Sequence, residues 1–453
     1  RAPVQPNICV MQSVGFTAAE MRDVATVVGQ DLFTDDLRET LLQFEHAKNF
    51  GSLIVPKLCG PAEALRAVEA RDFGSDLLLR EVQIRVVTAL RMAEALSPKY
   101  HIVVANPPYM GRKGMNGRLQ EFIENNFPLS KDDFMVAFMD RSALIVQKSG
   151  YWGMINIPSW MFAPSYTKFR STRLRQWQFS NLLHIGRGVF GADFGSCAFI
   201  IKNALPDGLG NGVARRLFDK HVAVESENVK LARFFDKKRP TFRIFQDQLL
   251  ALDTSPIAYW IPREFLDRYE ISEKFGSRGS AAQGIKTGDN DRFLRLWHEV
   301  SKNKIINVMN GTGRWAFCAK GGEYRKWYGN RNFVIDWEDE GRRIKNFKDK
   351  DGKLRSRPQN IDKFFKCGGT WSAVSSGSFS MRFLANDMCF ESAGSTFVPN
   401  DPQDLVDAIA FANSKVSAYL LDFLTPGIGF REGAISALPF IKNGSHDYAK
   451  RLI

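Results

Sequence analysis

A chain of 453 residues, 44% hydrophobic and 25% charged, has the composition of a globular protein long enough for two or three domains with real cores. Lys and Arg outnumber Asp and Glu by 62 to 49, and the resulting net charge of +13 favours a polyanionic partner without naming one. The 6 cysteines and 6 histidines are scattered, with no CxxC pair and no Cys/His cluster at zinc spacing, and no apolar run reaches bilayer-spanning length. These features argue against a structural metal, a disulfide scaffold and a membrane-spanning helix. A reduced, cytoplasmic protein is expected.

Taken in chain order, residues 1–15 read as a strand and turn, with the strand over 8–10. This start has neither an initiator Met nor a signal-peptide core, which suggests a chain that begins inside a larger protein. Residues 17–98 repeat apolar positions at three- and four-residue spacing and predict a helical stretch. A buried strand of β-branched residues follows over 101–105, stopped by Asn106-Pro107-Pro108-Tyr109. A helix is expected over 133–148, with Asp132 as N-cap and Gly150 as its stop. Then come a strand over 151–157, a basic amphipathic helix over 165–179, and strands over 181–185 and 197–201. That alternation predicts an α/β layered domain with a largely parallel sheet. Near 203–211 the texture changes to interleaved glycine, aromatic and basic residues, and helical periodicity fades until 402–424. We place a boundary there, giving units 1–205 and 206–453. The basic run over 342–366 reads equally as a solvated loop or as a phosphate-contacting one.

The tetrapeptide Asn106–Tyr109 carries the chemistry. It stands at the carboxyl end of a strand, where open α/β sheets bind ligands. An exocyclic amine on a nucleobase is a poor nucleophile because its lone pair is delocalised into the ring. The Asn106 amide oxygen and the Pro107 carbonyl, on a backbone stiffened by Pro108, are two acceptors for its N–H bonds. Tyr109 adds a flat face on which an extruded base stacks.

NPPY resembles the catalytic motif of methyltransferases that act on the amino group of DNA adenine. The match extends through Asp133-Phe134, Phe138 and the stretch 150–161, and covers about 100–203. Downstream, GIKTGDNDRFLRLW (284–297), KGGEYRKWYGN (320–330) and TWSAVSSGSFSMRF (370–383) resemble segments of bacteriophage-exclusion (BREX) methyltransferases of the PglX type and their restriction-enzyme relatives. The resemblance implies a Rossmann-like methyltransferase sheet, here partial, with a helical insertion over about 16–98, followed by a mixed α+β target recognition domain. It implies site-specific N6-adenine methylation of double-stranded DNA with S-adenosylmethionine, within phage defence in a bacterial cytoplasm beside other defence proteins.

The family's glycine-rich cofactor loop, of the type D-P-A-C-G-S-G, is missing upstream of NPPY, so no residue is assigned to the cofactor. Gly186-Arg187-Gly188-Val189-Phe190-Gly191 satisfies G-x-G-x-x-G, yet it runs into another strand rather than a helix and lacks the acidic ribose partner, with only Asp207 in range. It is read as a turn between strands. For DNA contact the sequence offers Arg112, Lys113 and Arg118 beside the motif, and Thr287, Asn290, Arg292, Arg325, Lys326, Ser376 and Arg382 downstream. Two other readings remain open at this stage. One is a methyltransferase of the glutamine amide in release factors, against which the long basic continuation argues. The other is a DNA-specificity module whose NPPY is vestigial.

Overall fold

The computed structural model describes residues 6–441 except 98, 190–194, 209, 211, 220–222, 253, 307–311, 376 and 426–428. The expected helical stretch forms the helices Glu20–Val28, Asp35–Gln43, Pro61–Glu69 and Leu77–Leu96. Their periodic residues, Val24, Leu41, Leu65, Val68, Val86 and Leu90 among them, close on one another as a separate core. Each such burial contributes roughly 1.5–3 kcal/mol. Start signals are explicit: Thr34 and Asp76 accept from the backbone N–H of Leu37 and Leu79. The strand expected over 8–10 does not form: Ile8 and Val10 are 76% and 64% exposed. Local β-propensity builds no strand without a partner ladder, and none reaches these residues among those described.

The first helix is tied down by one carboxylate. Glu20 accepts from the backbone N–H of Thr17 at 2.8 Å and pairs with Arg85 on the long helix. The Arg85 guanidinium, then the Thr17 bonds, hold the Glu20 carboxyl down at about 2, below the usual 4.5. A depressed carboxylate stabilises the fold above its unfolded pKa, and that stabilisation is lost as pH falls from 4.5 towards 2. Urea midpoints recorded across that window should therefore fall less steeply with acid in Glu20→Gln than in the parent chain.

The central sheet has six strands in the order β1-β2-β4-β3-β5-β6. They are β1 (Tyr100–Ala105), β2 (Val146–Asn156), β3 (Gln178–Arg187), β4 (Gly195–Lys202), β5 (Gly212–Arg216) and β6 (Thr241–Ile244). Expectation and structure differ in four ways. The sheet is mixed rather than largely parallel: β1–β2 and β3–β5 are parallel, while β2–β4, β3–β4 and β5–β6 are antiparallel. The link between β3 and β4 is too short for a parallel crossover, which needs a dozen or more residues. Second, β1 is an edge strand, with Ile102 67% and Val104 80% exposed, so its β-branched run is not buried. Third, the predicted boundary at 205/206 falls inside the sheet, because β5 and β6 continue it. These short strands (GVARR and TFRI) are too basic to stand out by hydropathy. Fourth, the helices are shorter and differently capped. Asp133, not Asp132, caps Phe134–Ile145, which passes straight into β2, so Gly150 lies inside that strand and stops no helix. The basic helix is Thr167–Arg173 alone.

Beyond the sheet come the helices Glu227–Phe235, Gln246–Ala251 and Arg263–Ile271, in a region where the sequence predicts little helix. Eight strands follow: β7 (Gly279–Ala282), β8 (Leu294–Leu296), β9 (Trp315–Ala319), β10 (Phe333–Asp336), β11 (Gly368–Trp371), β12 (Met381–Leu384), β13 (Met388–Phe390) and β14 (Thr396–Pro399). They form two four-stranded sheets, β13-β9-β10-β8 and β12-β11-β14-β7. Helices Asp404–Ala412 and Lys415–Leu424 occupy the expected 402–424. The chain is thus mixed α/β throughout. One apolar core extends from Met135 of the helix Phe134–Ile145 and Trp152 of β2 to Trp371, Phe397 and Phe423 of the last elements.

Candidate active site and nucleic-acid interface

Asn106–Tyr109 leaves the carboxyl end of β1 as an irregular turn, with Asn106 and Pro108 exposed, Pro107 buried and Tyr109 half-buried. The Tyr109 hydroxyl lies 3.2 Å from Asn106 Oδ1 and 3.3 Å from the Ile155 carbonyl of β2, and its one proton serves either acceptor. The ring is therefore tethered to the neighbouring strand while the Asn106 side chain stands at the surface. Burial, and secondarily the Cys197 thiol, push the Tyr109 phenol above its ordinary value, so it remains a neutral donor.

The loop's far end is pinned as firmly. Arg112 N–H donates to the Asp132 carbonyl and Phe134 N–H to the Met110 carbonyl, both at 2.9 Å. Asp133 caps the following helix through Met135 N–H at 3.0 Å and accepts from the Tyr166 hydroxyl at 3.4 Å. Burial raises the Asp133 carboxyl above the usual carboxylate value.

One residue of this edge escaped sequence reasoning. Asn156, the last residue of β2, is fully buried, and neither its amide oxygen nor its amide nitrogen has a hydrogen-bond partner. It follows Ile155, whose carbonyl Tyr109 reaches, and pairs in register with Cys197, which itself pairs with His184. An uncompensated buried amide costs about 1–3 kcal/mol. The available signal was a lone asparagine closing the apolar strand GYWGMIN.

The proposed DNA-contact residues do not form one set. Arg112 pairs with Glu124 at 3.0 Å, and Arg112 and Lys131 lower the Glu124 carboxyl. Lys113 is exposed, and Arg118 lies 3.2 Å from His46 Nε2 of the helical part. Asn290, Arg292 and Arg325 are exposed, with Arg292 lying over Phe293 and Phe347. Three assignments need correction. Thr287 is 2% exposed and donates to Asn290 Oδ1 at 2.6 Å, so it shapes a turn. Lys326 donates to the Asn413 carbonyl at 2.7 Å. Arg382 is 1% exposed, reaches the Arg325 carbonyl and the Ser372 and Ser380 hydroxyls, and is lowered to about 10 by burial. No phosphate can approach it there. Ser376 lies outside the described residues.

Gly186 and Arg187 of the G-x-G-x-x-G run are the last residues of β3, where Gly186 pairs with Ser196 of antiparallel β4 just past a register shift; Gly186 and Gly188 have φ 81° and 87°, and Phe190 and Gly191 lie outside the described residues. Among the described residues this stretch runs from strand to strand and provides no strand-to-helix cradle of the kind a cofactor needs. Among the described residues no group of three His, Cys, Asp or Glu is placed to hold a metal, and no helix is long and apolar enough to cross a membrane.

Residues 35–190 match the Eco57I restriction-modification methylases. Over nearly its whole length the chain is similar to adenine-specific methyltransferases. It is 34% identical over 430 residues to the adenine-specific methyltransferase BrxX of Escherichia coli O9:H4 (strain HS), covering 92% of this chain and 34% of that protein. It is 32% identical over 467 residues to the adenine-specific methyltransferase PglX of Lacticaseibacillus casei (strain Zhang), covering 98% of this chain and 38% of the relative. The chain thus spans little more than a third of the length of these curated relatives. Among solved structures, the Type IIL restriction-modification enzyme MmeI in complex with DNA aligns with a TM-score of 0.47 at 12% identity, covering 95% of this chain and 67% of that one.

Proposed function

We propose that this chain is the base-handling part of a site-specific DNA adenine N6-methyltransferase serving phage defence. The observation that carries the reading is Asn106, exposed at the strand end beside a Tyr109 ring tethered to β2. An adenine extruded from the duplex stacks on Tyr109. Its amino N–H bonds are accepted by the Asn106 amide oxygen and the Pro107 carbonyl, which favours electron density on nitrogen. The Asn106 oxygen has two lone pairs, so the Tyr109 bond leaves one for substrate.

S-adenosylmethionine is the methyl donor this reading requires. The residues present do not fit it: among the described residues there is no glycine-rich strand-to-helix turn, and β1 is an edge strand of the sheet beside NPPY. No step is therefore derived through the donor. The open edge is where strands of a longer protein, such as the relatives, would pair. In this reading the sheet, through β6, forms the catalytic part of a Rossmann-like fold, and the two later sheets form the target recognition domain. Arg112, Lys113, Arg118, Asn290, Arg292 and Arg325 are the DNA-facing side chains.

The test supplies labelled S-adenosylmethionine and mixed-sequence duplex DNA to this chain and to any longer protein that carries it. Label on adenine N6 after digestion to nucleosides supports the reading. Tight DNA binding with no transfer from either protein leaves a binding module instead.

Asn156 gives an independent prediction. Replacing its uncompensated amide with an apolar side chain of similar size removes the desolvation cost, so Asn156→Leu should stabilise the fold by about 1–2 kcal/mol in urea titrations. The same change should slow methyl transfer about tenfold or more, because the residue backs the Tyr109 tether. Loss of stability with normal transfer would show the amide to be a structural group whose partners are bound waters.

A further inference from the structure

A cavity of about 490 Å³ opens at the carboxyl ends of β2 and β3, the end of the sheet at which NPPY leaves β1, yet none of Asn106–Tyr109 lines it. Its sheet-side wall comes from the loop after β2 (Pro158, Phe162 and Pro164) and from the end of β3, where Arg187 stands. Pro158 is three residues beyond Ile155, the carbonyl that Tyr109 reaches, so the cavity and the NPPY turn are neighbours along one edge. The facing wall comes from the last described elements, with Arg431 and Gly433 at the start of the helix Glu432–Ser436. At its base His184, 1% exposed, is held by the Tyr259 hydroxyl 3.3 Å from Nδ1 and by the Phe218 ring edge-on.

The chemistry of this lining is specific. The surface is mainly apolar, with flat faces from Phe162, Phe218, Pro158 and Pro164; two arginines supply charge, and no described lining residue is acidic. Such a site suits an anion with a flat apolar body. The volume is within the range that encloses a small organic ligand. Proline and phenylalanine faces stack a base, and guanidinium groups bind phosphate.

We propose that this cavity takes a second nucleotide of the bound DNA, next to the one that Asn106 and Tyr109 receive. The base stacks between the Phe162 and Pro164 side and the Gly433 side, and Arg187 and Arg431 hold its phosphate. The inference rests on DNA being the substrate of the neighbouring edge. It extends that reading by giving the edge two adjoining base sites, so that the strand is gripped on both sides of the reacting nucleotide.

Thymidine 5′-monophosphate, a pyrimidine nucleotide without the adenine that the NPPY edge is proposed to take, is the probe, titrated into the whole chain by calorimetry or saturation-transfer NMR. A Cβ at Gly433 meets nothing within 4 Å, so Gly433→Trp fills the cavity without a backbone clash. It should weaken binding by about tenfold or more, and Arg431→Gln by about threefold to tenfold. Tyr109→Ala should leave the affinity within about twofold. The proposal is overturned if the nucleotide does not bind, if both cavity variants bind it like the parent, if Tyr109→Ala removes the binding, or if inorganic phosphate binds as tightly. Should methyl transfer fail while Gly433-dependent nucleotide binding holds, the catalytic reading falls and the nucleotide site stands.

Discussion

In a longer protein that carries this chain and binds the methyl donor, Asn106→Ala should reduce methyl transfer to adenine by about 10²–10³, the effect of deleting one preorganised polar group at a reacting centre. The substitution is clean because Asn106 is exposed and, among the described residues, its side chain bonds the Tyr109 hydroxyl alone, which keeps the Ile155 carbonyl as an alternative. Folding stability and DNA affinity should therefore stay close to those of the parent, while single-turnover transfer collapses. Asn106→Asp separates acceptor capacity from amide shape: it retains an oxygen acceptor for the amino group and should recover part of the rate. Equal transfer by all three proteins would remove Asn106 from the chemistry and return NPPY to the role of a tight turn.

The parts of this site that were legible in sequence are those that depend on local order. Two consecutive prolines remove two ladder donors in a row, so Asn106–Tyr109 was expected to close the strand YHIVVA. The helices over 17–98 were visible because their cores are made within the segment, from contacts at helical spacing. What depends on distant partners was not legible. Nothing in YHIVVA says that β1 lies at the sheet's edge, since burial depends on what pairs beside it. Arg382 and Thr287 have the side chains of DNA-binding residues, and only the packing of β11, β12 and the Thr287–Asn290 turn shows that they are enclosed. The strands GVARR and TFRI carry too few apolar residues to announce themselves, and they moved the sheet's limit past the expected boundary.

Arg170 is the clearest case of a residue whose importance only the fold reveals, and it carries the largest expected effect on stability. The helix Thr167–Arg173 is short and basic, and its sequence suggests a solvated face. Arg170 is instead 1% exposed. Its Nη1 donates to the Trp160 and Ala163 carbonyls, both at 2.8 Å, and its Nε to the Thr254 and Ser255 carbonyls at 3.1 and 3.0 Å. Thr254 and Ser255 both have positive φ, 65° and 46°, a conformation that side-chain-bearing residues hold only when their surroundings impose it. One guanidinium thus fastens the loop after β2 to a strained turn, next to the point where Ile257 N–H meets the Met161 carbonyl at 2.9 Å. Burial lowers Arg170 to about 10, which leaves it charged at neutral pH. Arg170→Ala opens a cavity and strands several carbonyls at once, and should cost about 3–5 kcal/mol by urea unfolding. Arg170→Met keeps the volume and removes the buried charge, so its loss should be smaller, while Arg170→Lys cannot span both loops and should fall near the alanine variant. Since the same loop carries Pro158 and Phe162, variants that remain folded should also lose transfer activity and nucleotide binding together. Unchanged stability in Arg170→Ala would mean that the two loops hold their places without the guanidinium, and the account of how the sheet edge is braced would have to be abandoned.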